Sequence, residues 1–239
     1  MSTTTLGVSP VFKKPPRPTN PSALELAIYN YQVEALKHYK KVSNLANASK
    51  SELEEVEATI KHLKRERAKI KAHARLQDDL YEDLKKYRQE NKAKDENQLS
   101  KEKHHPTNSL IRNLYAVAEP QPSPNHAAHH IVMGNGKVAA MIDAKLQMFE
   151  FGIGINDAIN GVWLPRSSAY KDHYTTPKAP PHSRIHGTNY QNWIGTLGRI
   201  RHSENVFKST LLKMKKQIQD GSHPEKILEK KDANWKPTV

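Results

Sequence analysis

Apolar side chains between positions 24 and 45 recur at alternating steps of four and three: Leu24, Ile28, Tyr31, Ala35, Val42 and Leu45, with His38 filling the gap. That spacing predicts one helix with a single apolar stripe. A small, polar stretch from Asn44 to Ser51 interrupts it, and Ser51 with Glu54 has the spacing of a capping box. A second stripe then runs through Leu53, Val56, Ile60, Leu63 and Ile70 to Leu76, Leu80, Leu84 and Tyr87, between faces of alternating Glu and Lys or Arg. Such faces are solvated helix surface. The simplest reading is two antiparallel helices zipped along their stripes. A functional reading makes the pair a docking or delivery module, since it buries little and leaves room for a partner.

Proline and glycine draw the boundaries. Pro10, Pro15, Pro16, Pro18 and Pro21 mark residues 1–21 as an extended, disordered leader, and Ser22 to His105 contains neither residue type. Pro106 and Pro120-Gln121-Pro122-Ser123-Pro124 mark a second break, and nine of the ten glycines lie at or beyond Gly134. The expected order is leader 1–21, helical hairpin 22–104, linker 105–124, a compact mixed domain 125–220, and a loose tail 221–239. In the mixed domain a strand ends at His129-His130-Ile131-Val132, and Ala139 to Phe151 forms an amphipathic helix closed by Gly152-Ile153-Gly154. Asn156 to Gly161 turns into the short strand Val162-Trp163-Leu164-Pro165, with Gly161 suited to a positive φ. Thr188 with Gln191 has capping-box spacing and opens a helix carrying Trp193, Ile194 and Leu197; Ser203 to Asp220 continues helically.

Composition narrows the chemistry. The 239 residues include 38 Lys or Arg against 25 Asp or Glu, for a net charge of +13, and no Cys. Cysteine-ligated zinc, iron–sulfur clusters, disulfide scaffolds and thiol catalysis are therefore excluded. Mean hydropathy is -0.81. No apolar run suggests a membrane span, and the N-terminus lacks a signal-peptide core, so a soluble protein made in the cytoplasm is expected. The charge excess lies away from the Lys-rich helices: residues 50–104 are only +2, while 105–239 are +7. A polyanion is the plausible partner.

Six of the thirteen histidines fall between 126 and 186: His126, His129, His130, His173, His182 and His186. Neighbours on a strand point to opposite faces, so His129 and His130 cannot share one task; one can bind a metal while the other faces a substrate. His182 and His186 stand at i and i+4, the spacing of a bidentate metal site on a helical turn. Singly, each of these histidines is an ordinary surface or core residue; the two pairs together make the signal. His104 and His105 fall in the linker and are set aside as an accidental echo.

Ala128-His129-His130-Ile131, then Ile155-Asn156-Asp157-Ala158-Ile159-Asn160-Gly161-Val162-Trp163-Leu164-Pro165, then His182-x3-His186 followed by Tyr190, resemble the AHH family of bacterial toxin nucleases in the HNH, or endonuclease VII-like, superfamily. The resemblance covers about residues 125–202. It implies an α+β chain in which the N-terminal hairpin precedes a small ββα-metal (His-Me finger) domain with added helices. It makes His129 a metal ligand, His130 the general base, Asn160 the residue that orients the His130 ring, and His182 and His186 the remaining ligands. A helix beginning after Gly187 puts both of the latter on a separate turn and leaves their joint ligation open, with His186 the first choice.

The residue types suit phosphodiester hydrolysis. An imidazole with a pKa of about 6.5 can deprotonate water near neutral pH. Neutral His ligands favour zinc, nickel or manganese over magnesium, which stays a candidate. Arg184 and Tyr190 are candidate contacts to the nucleic acid, and His126 and Asp157 candidate braces for the histidines. The expected function is thus a metal-dependent endonuclease toxin acting on DNA with little sequence preference. The resemblance further implies a cognate immunity protein and type VI-like export, with residues 1–120 meeting a spike, adaptor or chaperone. An RNase with the same site, or a non-catalytic zinc-stabilised module, are the alternatives.

Overall fold

The computed structural model describes residues 14–18, 23–42, 49–171, 173 and 175–238. The expected leader lies largely outside these residues, as does most of the polar stretch between the first two helices. The chain divides into two compact units, Met1–Leu76 and Gln77–Val239.

The first unit contains α1 (Ala23–Val42) and the beginning of α2 (Lys50–Lys92). Among the described residues its buried side chains are His38, Val56 and Leu63; an ion pair joins Lys41 to Glu55 at 2.5 Å, and His62 Nε2 lies 3.1 Å from Glu34 Oε2. The cap of α2 sits two residues ahead of the expected position. Ser49 Oγ accepts from Glu52 N, and Ser49 N donates to the Glu52 carboxylate. Ser51 and Glu54 already lie inside the helix, past the N-cap position.

The second unit is α+β. Strand β1 (His126–His130) pairs antiparallel with β2 (Gly161–Pro165), with His130 opposite Gly161 and His129 opposite Val162. Between them lies α5 (Ala139–Glu150), terminated by Gly152 at φ 66, the left-handed conformation a glycine adopts freely. Helices α6 (Thr188–Gly195) and α7 (Glu204–Asp220) follow. All five residues of β2 are buried. Val162 and Leu164 join the main core with Met141, Met148, Trp193, Leu197, Phe207 and Leu211, while Trp163 faces Leu110, Leu114 and Ala128 on the other side. Covering both faces of so small a sheet removes it from water and fixes its register.

The second face is covered by α4 (Asn108–Ala116), inside the stretch expected to be a linker. Pro106 precedes that helix instead of interrupting it, which is why the break was misplaced. The boundary at 104 moves as well. The C-terminal part of α2 belongs to the second unit, where Leu84 is fully buried with Leu80 and Tyr87 against Ala116, Val117 and Ala158. A short α3 (Glu96–Ser100), opened by a capping box of Asp95 and Gln98, leads on to α4. The tail also packs: Ile227 is fully buried, and Asn189 bonds Lys226 O, Lys230 O and Asp232 N. Gly161 has φ −107, not the expected positive value. Its lack of a side chain serves close packing, because a Cβ there would lie 2.7 Å from Leu110 Cδ1 and 3.0 Å from Leu114 Cδ2.

Candidate metal centre and nuclease site

Strand β1 ends on His129 and His130, and the two rings take different partners. His129 meets His182 and His186 at ring-centroid distances of 5.1 and 5.3 Å, and those two rings are 4.8 Å apart. One nitrogen of each ring can be chosen so that all three lie within 4.8 Å of one another. His182 starts a 3-10 turn (His182–Arg184) and His186 comes just before the N-cap Gly187, so the pair does sit on a separate turn ahead of α6. Convergence comes from that turn and not from the face of an α-helix. Thr188 does not cap the helix: Gln191 instead accepts from Lys137 N and Val138 N, tying the loop before α5 to α6.

Tyr190 proves to be a brace for the cluster. It is fully buried, out of reach of any stacked base, and its hydroxyl donates to Ile131 O at 3.0 Å. Burial raises its pKa well above the usual phenol value, so it keeps its proton. The same hydroxyl lies 3.0 Å from His129 Nε2. With its own hydrogen committed to Ile131, the hydroxyl accepts from Nε2–H, and Nδ1 of His129 retains the lone pair. Burial first, then the neighbouring histidines, lowers the pKa of His129 well below 6.5; burial lowers that of His186; and burial with His186 takes His182 down to about 4. Three neutral imidazoles gathered at one point form a donor set for a divalent transition metal. HNH-type nucleases use a divalent metal, and these residues could hold one.

His130, the next residue on the strand, is held by Asn156. Its Nε2 lies 2.9 Å from Asn156 Oδ1, and burial lowers its pKa to about 4 against the raising effect of that bond. Asn160, expected in this role, is bonded elsewhere: its Oδ1 accepts from Val132 N, and its Nδ2 donates to Val132 O and Ile155 O. It closes the loop onto the end of β1. The other expected brace, Asp157, touches no histidine. It caps the turn at Ile159 N and forms a two-point pair with Arg88, both bonds 2.8 Å. His126, bonded to Ser123 and Thr176, stacks edge-on with His173 and stands apart from the three-histidine group.

His129, His130, His182 and His186 open onto one cleft of about 550 Å³, which His104, His105 and Arg166 also line. The His104 and His105 rings stand 5.9 and 6.2 Å from that of His130. The HH pair set aside in the sequence is therefore part of the cleft. Arg184 is exposed and does not line it; Arg166, the residue after β2, does. A strand-to-loop arginine carries no local sequence signal, whereas Arg184 stands conspicuously between two histidines.

A buried two-stranded antiparallel sheet, a helix entered through a His-bearing turn, and a cleft lined by imidazoles make up the candidate site. Residues 110–227 match AHH, a nuclease family of the HNH/ENDO VII superfamily with conserved AHH. Over this segment the chain matches that family's model, and Ala128-His129-His130 carries the AHH tripeptide. No curated protein and no solved structure matches the chain. Among the described residues no helix is long and apolar enough to cross a membrane.

Proposed function

We propose that this protein is a metal-dependent endonuclease that hydrolyses DNA with little sequence preference. The observation that carries the reading is the placement of His130, on the strand residue next to His129, in the same cleft as the three convergent histidines. His129, His182 and His186 hold the metal, which is zinc, nickel, manganese or magnesium. A cation bound there supplies positive charge to the scissile phosphate and the leaving oxygen. His130 takes the proton from the attacking water, its ring held by Asn156. Arg166, with no acid among the cleft residues, draws the phosphate backbone in, so that binding weakens as salt rises.

The wider setting follows from the same reading. The protein acts as an antibacterial toxin, exported by a type VI-like route and held in check by a cognate immunity protein that covers the cleft. The pairs Lys41–Glu55 and Glu34–His62 have matching residue sums, as an antiparallel hairpin requires, and support α1 and the start of α2 as a delivery module.

A plasmid nicking assay tests the core of this. Wild type should cut with added metal and stop with EDTA, while His130→Ala should retain metal but not cut. Cutting by His130→Ala at the wild-type rate rules out the assigned base. Digestion of total RNA and tRNA in place of plasmid identifies the RNase outcome, and metal-dependent melting without cutting identifies a binding module.

A further inference from the structure

The family segment begins at residue 110, yet the side chain that holds His130 is itself held from outside that segment. Asn156 Nδ2 donates to Glu102 Oε1 at 2.8 Å and to Lys103 O at 2.9 Å. Tyr87, from the last turns of α2, donates its hydroxyl to the same carboxylate, 3.0 Å from each oxygen. Burial and the Glu102 charge push the Tyr87 pKa up, which keeps it a donor. The Asn156 backbone is pinned separately, its carbonyl accepting from Asn113 Nδ2 at 2.8 Å.

These contacts decide which way round the Asn156 amide sits. Both of its N–H groups face acceptors that have no hydrogen to give, a carboxylate and a backbone carbonyl. Its carbonyl must then face His130, and the 2.9 Å contact requires that Nε2 carry the ring hydrogen. A neutral imidazole has only one such hydrogen, so Nδ1 keeps its lone pair. Turning the amide over would set its oxygen against two acceptors and point Nδ2 at Nε2. The ring hydrogen would move to Nδ1, and the lone pair would be spent on Asn156.

We propose that Glu102, steadied by Tyr87, is a positioning residue that sets the tautomer of His130 through Asn156, so that residues ahead of the family segment complete the nuclease site. The role in turnover rests on His130 being the base; the role in fixing the tautomer does not. A charged acceptor holds the amide more firmly than a neutral one, and the Lys103 carbonyl supports it in part. Without Glu102 the amide samples both orientations, and only one leaves His130 with a free Nδ1.

The experiment is nitrogen-15 NMR of the histidine rings in the full-length, metal-free protein at pH 8, with the His130 signal assigned by its loss in His130→Ala. The same variants, loaded with metal, are assayed for plasmid nicking. Wild type should show His130 protonated at Nε2. Glu102→Ala should add a clear Nδ1–H population and lower kcat about tenfold with KM unchanged. Glu102→Gln, which keeps an acceptor, should stay near wild type, and Tyr87→Phe should move both readouts the same way by less. A wild-type ring protonated at Nδ1 overturns the proposal, as does Glu102→Ala with unchanged tautomer and kcat. If Glu102→Ala fails to fold, Tyr87→Phe decides, and no change in either readout overturns it. Should His130→Ala prove fully active, the base assignment falls, while the tautomer measurement still settles what Glu102 does.

Discussion

The Tyr190 hydroxyl links two ends of the site: it gives its hydrogen to Ile131 O and sits 3.0 Å from His129 Nε2. A ring so held would offer its Nδ1 lone pair to a bound metal without first finding its orientation. Tyr190→Phe keeps the buried ring and loses only this bond. Metal affinity, measured by calorimetric titration with zinc or nickel, should fall about 10- to 100-fold. Unchanged affinity would mean that packing alone orients His129.

The stability of the metal-free protein should depend on pH in one direction. His130 and His182 have folded-state pKa values of about 4, below the ordinary 6.5. Between those limits the unfolded chain binds more protons than the folded one, so stability is complete above about pH 6.5 and is lost as pH falls towards 4. Thermal melting in EDTA at pH 7.5 and pH 5 should show a lower Tm at pH 5. His182→Gln, with one such group fewer, should show a smaller drop. An equal drop in both proteins would remove His182 from the account.

Gly161 lies opposite His130 in the two-stranded sheet and under Leu110 and Leu114 of α4. Gly161→Ala should force those side chains apart and destabilise the protein by about 1–3 kcal/mol, read by chemical denaturation. A wild-type midpoint would show that α4 can shift at no cost.

Asp157 is almost wholly buried, and Arg88 supplies its only ion pair among the described residues. Arg88→Met keeps much of the aliphatic stem but leaves the carboxylate short of two bonds, an expected loss of about 1–3 kcal/mol. Because Asp157 is next to Asn156, nicking should weaken along with stability. A stable variant with reduced activity would instead assign Arg88 to the site alone.

The residues of the centre that the sequence revealed are those whose signal is local. His129-His130 on a strand and His182-x3-His186 are spacings within a few residues, and the hydrophobic periods around them located α5, β2, α6 and α7. Asn156 and Asn160 show where such reasoning stops. Both lie in one short loop, and which of them reaches His130 depends on a 3-10 turn capped by Asp157, itself held by Arg88 from 69 positions earlier. Tyr190 was noticed, but only its burial shows that it serves His129 and not the substrate. Residues 77–124 were misread for the same reason. Absence of glycine and proline announces helix without saying what the helix touches, and Leu84, Leu110 and Leu114 find their partners far along the chain.

The passage of α2 through the division at Leu76 bears on how this nuclease can be rebuilt. Anyone exchanging its forward portion for another carrier would be tempted to cut where the recognisable nuclease begins. A graft made at 110 would keep the histidine triad yet discard Tyr87, Arg88 and Glu102, together with the buried Leu84 and Leu99. The division between the two units, at Leu76 and Gln77, falls ahead of all of these, so a graft made there would keep them.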